Sequence, residues 1–150
     1  MNKLTAPPFA LEGALGPKLD QLLAYWKGLL RGEAEMPFAD DVDPTKVAAC
    51  CADMFLIGVF EKPRRFRLDV ARTPNAPVVE QTLVGRFLDE VELGAPLQFL
   101  RAQAEATVES RAPTLYRDRP VGSELAYARL LAPAWGEGSV RLLVGAIAWR

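Results

Sequence analysis

The chain has 150 residues, of which 50% are hydrophobic and 25% are charged, and these are the proportions of one globular domain. Its 18 basic and 19 acidic residues nearly cancel, and no basic run exceeds two residues, so the basic footprint of a nucleic-acid binder is missing. The absence of histidine excludes Ser-His-Asp and Cys-His catalysis, histidine ligation of metals and haem held by a histidine.

Two further compositional features bear on location. Cys50 and Cys51 are adjacent, and a bridge between neighbouring residues would be strained, so we expect two reduced, buried thiols of a cytoplasmic protein. Two thiols without histidine are also too few for a closed zinc site. No apolar run reaches the length of a membrane span, and the first ten residues lack the apolar core of a signal peptide.

The first half of the chain predicts two helices and a hairpin. An irregular arm at 1–14 precedes a helix at 15–31, whose leucines and Trp26 recur every three or four residues. Asp43 is expected to cap a short second helix, with Pro44 at its first position. The predicted elements that follow are strands at 54–60 and 66–70, joined by a turn at 61–64.

The second half predicts connectors, one longer helix and three strands. Turn formers dominate 73–93, with a helical turn at 78–84. The remaining predictions are a helix at 96–109 and strands at 113–119, 124–132 and 139–149. Because the strands meet through short turns, they are expected to form an antiparallel five-stranded sheet, and the fold class is α+β.

The last strand indicates that both faces of the sheet are covered. Val144 and Ala146 alternate with Leu143 and Ile147, so apolar side chains point both ways. An antiparallel sheet with one wet face would instead alternate apolar with polar residues. We expect the helical connectors to cover one face and the N-terminal helix to cover the other, in its own chain or in a partner's.

The order of these elements resembles the PAS fold, and short motifs along the chain are similar to those of a group of compact bacterial PAS-type proteins. The similarity spans about residues 15–149. The segments that carry it are Tyr25-Trp26, Met36-Pro37, Asp43-Pro44, Arg65–Leu68, Val84–Asp89, Leu130–Pro133 and Gly136–Gly138. The chain departs from the group at Ala71-Arg72-Thr73, where a glycine is usual, and at 74–84.

The resemblance implies a PAS-like sensory or regulatory module in bacterial signalling that acts through a small ligand, through contact with another protein, or through both. The flavin-binding PAS class uses a cysteine in a helix after the second strand, whereas Cys50 and Cys51 precede the first strand. The haem-binding class commonly uses a histidine. No cofactor and no metal are therefore expected.

A ligand would lie between the sheet and the helices of 74–109, because small-molecule sites are mostly apolar with a few oriented polar groups. Arg86 or Arg129 could hold a carboxylate or phosphate through its forked donors. For these two arginines a surface role is the alternative, and for the apolar residues it is core packing. The full candidate set is Phe66, Leu68, Arg86, Phe87, Phe99, Leu100, Tyr127, Arg129 and Leu131.

The N-terminal helix carries the candidate interface. Its residues Leu19, Leu22, Tyr25, Trp26 and Leu29 would serve either a homodimer or the chain's own sheet. An unknown signalling protein is the other expected partner, and neither nucleic acid nor a membrane span is expected.

Two alternatives to a sensory module stay open. One is a small α+β isomerase or hydratase with a buried carboxylate base, for which Asp53 and Asp69 are the candidates. The other is a purely structural interaction domain without a ligand site. The preferred prediction is that the chain is not an enzyme.

Overall fold

The computed structural model describes residues 9–150, so the predicted arm at 1–14 lies partly outside the described residues. Residues 9–14 form neither helix nor strand, as predicted. The helices of the described part are α1 (Pro17–Gly28), α2 (Pro44–Cys50), α3 (Pro77–Leu83) and α4 (Leu100–Ser110). The strands are β1 (Asp53–Phe60), β2 (Arg65–Arg72), β3 (Thr114–Asp118), β4 (Tyr127–Gly136) and β5 (Ser139–Trp149).

The five strands form one antiparallel sheet in the order β2-β1-β5-β4-β3. The last strand of the chain therefore lies at the centre, between β1 and β4. Three of the four pairings join consecutive strands, whereas β5 pairs with β1 across the whole intervening sequence. This arrangement confirms the α+β class, the antiparallel sheet and the helix that precedes it.

The β4–β5 hairpin is tighter than the sequence predicted. Its loop consists of Glu137 and Gly138, with φ angles of 53° and 89°. Two positive φ angles give a two-residue turn whose twist matches that of the flanking strands. Trp135 and Gly136 consequently belong to β4, which runs to residue 136 rather than 132 and begins at Tyr127 rather than at 124.

The starts of α1 and α4 and the end of α1 also differ from the prediction, and both starts directly follow a residue with positive φ. Gly16 has φ of 90°, so α1 begins at Pro17, and it ends at Gly28 rather than at residue 31. Phe99 has φ of 63°, so α4 begins at Leu100 rather than at residue 96. The predicted start of α2 is confirmed, since the Asp43 side chain accepts a hydrogen bond of 2.9 Å from the backbone N–H of Thr45.

Two hydrophobic cores lie on opposite faces of the sheet. On the inner face, α3 and α4 pack through residues such as Val79, Leu100 and Ala104. On the outer face, α1 and α2 pack through Leu19, Leu22 and Val47. The prediction that the N-terminal helix covers the second face of the sheet is therefore confirmed, and it does so within its own chain.

This packing uses most of the candidate interface on α1 within the chain itself. Leu19 and Leu22 are fully buried against the sheet, and Trp26 is 6% exposed. Tyr25 accepts a hydrogen bond from the Asp43 backbone N–H at 2.9 Å, and Leu29 is half-buried. The apolar stripe of α1 thus packs on its own sheet, because leaving that apolar sheet face exposed to water would be unfavourable. Among residues 9–150, no helix has the length and apolar character needed to cross a membrane.

Candidate functional site

Most of the predicted ligand-site residues lie in the inner core. Phe66, Leu68, Leu100 and Leu131 are at most 4% exposed there. The segment before α4 departs from the prediction, because Phe99 is 56% exposed. Phe87 is half-buried and pairs with β2 through a backbone bridge to Arg67, and the side chain of Arg86 is exposed.

The interior between the sheet and α4 is filled by side chains rather than open at the centre. Gly145 of β5 faces the ring of Phe55 so closely that a β-carbon at position 145 would overlap the ring. Phe55 is fully buried, as are Ile57 on the same strand and Leu143 on β5. Most of the predicted apolar walls therefore serve as core packing, which was the alternative interpretation.

Arg129 on β4 is the exception, because it is fully buried and charged. Its Nε donates a 2.7 Å hydrogen bond to Oε1 of Gln103 on α4. Its two terminal nitrogens donate to the backbone oxygens of Pro96, at 2.8 Å, and Gln98, at 2.9 Å. The guanidinium thus connects the sheet to the turn that precedes α4. The expectation of a surface role for Arg129 is wrong.

A network of buried polar side chains surrounds this arginine. The Gln103 Nε2 donates to Thr114 Oγ1 and to the Arg129 backbone oxygen, both at 3.1 Å. Thr107 Oγ1 lies 2.8 Å from the Gln103 carbonyl oxygen and 2.7 Å from Thr114 Oγ1. Gln103, Thr107 and Thr114 are all fully buried. Because each of these side chains has a hydrogen-bond partner, the network fixes Gln103, and Gln103 fixes the guanidinium.

No carboxylate neutralises Arg129 within residues 9–150, since none of the ion pairs there includes it. Residues 1–8 contain no acidic side chain either. Burial lowers the pKa of Arg129 to about 10, so the group remains a cation at neutral pH. Its charge is balanced by carbonyl dipoles and by the ring of Tyr116, whose centroid lies 4.8 Å from the guanidinium carbon.

Tyr127 supplies a second unusual polar group. It precedes Arg129 by two residues on β4, so both side chains point to the inner face. Tyr127 is 1% exposed, and its hydroxyl has no hydrogen-bond partner within the described part of the chain. Burial is the main cause that raises the pKa of Tyr127 to about 12. The Arg129 cation opposes this rise, and the Asp118 carboxylate, opposite Tyr127 in the β3–β4 pairing, adds to it. The hydroxyl therefore stays protonated.

Aromatic rings enclose this polar pair. The Tyr127 ring lies 6.2 Å from that of Tyr116 and 5.6 Å from that of Trp149, measured between centroids. Phe9 and Phe99 cover Tyr116 from two sides, at 6.0 Å and 5.9 Å. The site therefore combines a cation and a hydroxyl donor with flat apolar surfaces, of which Phe99 is the exposed one.

The two carboxylates considered as catalytic bases are both engaged. Asp53 is 2% exposed and accepts hydrogen bonds from the backbone N–H of Asn75, from Asn75 Nδ2 and from Trp149 Nε1, at 3.1, 2.6 and 3.0 Å. It holds the turn after β2 against the end of β5. Asp69 is half-buried and pairs with Arg67 on its own strand.

The cysteines are free, as predicted, and only Cys51 is fully buried. Its thiol donates to the Ile147 carbonyl oxygen at 3.2 Å, and burial raises the pKa of both thiols. Raised thiol pKa values lower the thiolate fraction that redox chemistry requires. Within residues 9–150, no three side chains of the histidine, cysteine, aspartate or glutamate type gather as metal ligands would.

Sequence reasoning named Arg129 and Tyr127 but missed the residues that hold them. Gln103 and Thr107 fall on the same face of α4 as Leu100, Ala104 and Val108, so polar residues interrupt a predicted apolar face. That interruption was the available signal. The sequence contained no comparable signal for Tyr116 and Thr114, because only the β3–β4 register places them opposite Arg129 and Leu131, respectively.

Comparison with known proteins adds no relative: no protein-family model, no curated protein and no solved structure matches this chain significantly.

Proposed function

We propose that this protein is a PAS-like sensory and regulatory module of bacterial signalling, located in the cytoplasm. In this proposal it binds a small ligand between the inner sheet face and the α3–α4 segment and passes the signal to a partner protein by contact. The chain order of the elements supports this proposal. The motifs that resemble PAS-type proteins also fall at structurally defined places: Asp43-Pro44 starts α2, and Gly136–Gly138 contains the last residue of β4 and the two residues of the β4–β5 turn.

The buried guanidinium of Arg129 is the observation that carries the proposal. Removing an ion from water costs several kcal/mol even after relaxation, and here no carboxylate offsets that cost. If this position served only core packing, an apolar side chain of similar volume would make the folded state as stable or more stable. Ionisable groups held in such an unfavourable environment concentrate at functional sites.

A ligand at this site would have a direct route to the rest of the fold. Arg129 connects β4 to the turn at Pro96 and Gln98 and to Gln103 on α4. A ligand that draws one of these hydrogen bonds away favours a different position of the turn before α4. Such a ligand shifts the balance between two conformations only by binding one of them more tightly.

Native mass spectrometry of the purified full chain tests the proposal. The expected result is a discrete added mass in the native spectrum that is lost in the denatured spectrum, or a rise in melting temperature with members of a small-metabolite panel. A clean native mass together with no stabilisation by any panel member would contradict ligand sensing. It would favour the structural interaction domain instead.

The isomerase or hydratase alternative gains no support from a specific observation. Such an enzyme needs a carboxylate with a free lone pair facing its substrate. The Asp53 oxygens already accept three hydrogen bonds, and Asp69 is paired with Arg67.

A further inference from the structure

The two edges of the sheet are closed to different extents. At the β2 edge, Leu68 donates one backbone hydrogen bond of 3.0 Å to the segment 85–86 and accepts another of 2.7 Å from it. At the β3 edge, the arm at 9–14 makes one backbone hydrogen bond, in which the Leu115 N–H donates to the Phe9 oxygen at 3.1 Å. The β3 edge is therefore the more open of the two.

Backbone groups of β3 remain available beside that single bond. Because the N–H of Leu115 points away from β4, the oxygen of Leu115 and the N–H of Arg117 point the same way, since edge-facing groups alternate along a strand. Among residues 9–150, neither of these two groups has a hydrogen-bond partner outside the sheet. A strand edge with unpaired groups is a template for pairing with another chain.

The arm crosses this edge without adding a strand to it. Arg117 donates from its two terminal nitrogens to two backbone oxygens of the arm, at 2.9 and 2.8 Å. The ring of Phe9 lies 6.0 Å from that of Tyr116, measured between centroids. Gly13 has φ of 78°, so the arm leaves the extended conformation there and turns toward α1. The arm is thus a cover for the edge that is held mainly by two side-chain contacts.

The outer end of β3 carries positive charge without a carboxylate partner. None of the ion pairs within residues 9–150 includes Arg117 or Arg119, which directly follows the strand, and residues 1–8 contain no acidic side chain. Both arginines donate to backbone oxygens instead. Asp118 lies between them in sequence, but its side chain faces the opposite side of the strand. An incoming acidic side chain on the Arg117 side would therefore meet complementary charge.

We infer that the β3 edge binds an extended segment of a partner protein, which takes the place of the arm and pairs with the free backbone groups of Leu115 and Arg117. Backbone hydrogen bonds supply affinity in this mode of recognition, and alternate side chains supply specificity. The segment carries an aromatic residue that packs on Tyr116 and an acidic residue one or three positions further on, because successive side chains of a strand face opposite sides. This inference rests on the proposed function only for the contact with a partner, and it does not depend on a ligand.

A second copy of this chain is a poorer occupant than a different protein. Its arm would bring the same Gly13, whose positive φ interrupts an extended segment beside Arg117. A segment that stays extended at that position pairs with both free backbone groups and so competes with the arm. The edge also adjoins the buried polar network, since the ring of Tyr116 lies 4.8 Å from the guanidinium carbon of Arg129.

Fluorescence anisotropy with a labelled peptide tests the inference on the full chain. The probe has the sequence of residues 9–16 with valine in place of glycine at position 13, so that it remains extended. It should bind the Phe9→Ala protein about two- to tenfold more tightly than the parent, because the arm loses its aromatic contact and competes less. Leu11→Ala, an exposed change in the same arm, is the matched control and should leave the affinity at the parent value. Absence of binding, or equal affinities for Phe9→Ala and the parent, would overturn the inference.

Hydrogen exchange of the same complex locates the bound peptide. The Arg117 amide should exchange more slowly when the peptide is added, because it gains an acceptor. The Leu68 amide on the opposite edge already has a partner and should exchange at an unchanged rate. Peptide binding without protection of Arg117 would contradict pairing at β3.

The acidic residue of the probe tests the role of Arg117. A peptide with glutamine in place of this glutamate should bind the Phe9→Ala protein about two- to fivefold more weakly than the original probe. In a protein that also carries Arg117→Gln, the two peptides should bind equally. The same loss in both proteins would show that the acidic residue is not recognised by Arg117.

Two further outcomes separate this inference from the alternatives. Light scattering should give the Phe9→Ala protein the same mass as the parent; a new dimer that the peptide dissociates would assign the edge to a second copy and overturn the inference. If native mass spectrometry shows a retained molecule but the peptide does not bind, ligand sensing stands and the edge inference is wrong. If the peptide protects Arg117 while no molecule is retained and no panel member stabilises the protein, the edge inference stands and ligand sensing is wrong.

Discussion

The Nε1 group of Trp26 on α1 donates a 2.8 Å hydrogen bond to the carbonyl oxygen of Pro133 on β4, 107 residues further along the chain. Trp26 is 6% exposed, so this bond is shielded from water. Because apolar burial has no preferred direction, it would not by itself fix where the end of α1 lies along the sheet, and this hydrogen bond does. The outer helix is therefore held by one directional contact in addition to its apolar stripe.

Replacing Trp26 with phenylalanine tests this contact. The change removes the donor and part of the buried ring, and it leaves the Pro133 oxygen without its partner. We expect Trp26→Phe to lower the free energy of unfolding by about 2–3 kcal/mol, measured by urea denaturation. Tyr25→Phe is the matched control, because its hydrogen bond to Asp43 is exposed, and it should cost less than about 1 kcal/mol. Equal costs for the two variants would show that the Trp26 contact is not special.

The outer core predicts the effect of truncating α1 side chains. Leu22 is fully buried beneath α1, whereas Leu11 in the preceding segment is 37% exposed. Leu22→Ala should therefore reduce the free energy of unfolding by about 2–5 kcal/mol, through lost burial and the cavity that remains. Leu11→Ala should change it by less than about 1 kcal/mol. If the Leu22 variant unfolded at the same urea concentration as the parent, α1 would not cover the sheet in solution.

Gly145 predicts a packing conflict at the centre of the sheet. A β-carbon there would overlap the Phe55 ring, which is itself fully buried and unable to move into solvent. Gly145→Ala should lower the melting temperature, and the free energy of unfolding should fall by about 1–3 kcal/mol, as for other overpacked cores.

A control and a rescue make the Gly145 prediction specific. Gly94→Ala places a β-carbon in open space and should leave the melting temperature within a few degrees of the parent. In the double variant with Phe55→Leu, the second change relieves the overlap, so its cost should be smaller in the Gly145→Ala background than alone. Additive costs would mean that the two positions do not touch.

Tyr127 predicts how stability changes at high pH. Its pKa is raised to about 12 in the folded protein, above the value of about 10 expected when unfolded. The folded state thus keeps a proton that the unfolded state loses, so this residue contributes stability below pH 10 that disappears as pH rises toward 12. Buried Arg129 acts in the opposite direction over a similar range, because its pKa is lowered to about 10.

The comparison of Tyr127→Phe with the parent isolates the tyrosine from the arginine. The difference in free energy of unfolding between the two proteins should be constant below pH 10. Above pH 10 the parent should lose stability faster than the variant, as measured by urea denaturation at several pH values. Parallel curves up to pH 12 would show that Tyr127 titrates as an exposed tyrosine does.

The sequence determined the local structure and the need for two covered faces. Apolar spacing located α1, alternation located β2, and Asp43-Pro44 located the start of α2 because capping depends on neighbouring residues alone. Val144 and Ala146 opposite Leu143 and Ile147 on β5 required both sheet faces to be buried, and this was sufficient to predict the covering role of α1. The predicted boundaries were wrong near Gly16, Phe99 and Glu137, where residues with positive φ angles end or start an element.

Only the tertiary structure decided which polar residues meet. Nothing in the local sequence separates Arg129, which is fully buried, from Arg86, which is exposed, because burial depends on strand order and on which helix packs above. Its position on β4 lets Arg129 hydrogen-bond to Gln103 of α4, 26 residues away in the sequence. It also places the guanidinium against the ring of Tyr116 on β3, 13 residues away. Residue type fixes the charge and the donors, whereas long-range packing fixes whether water or protein surrounds them.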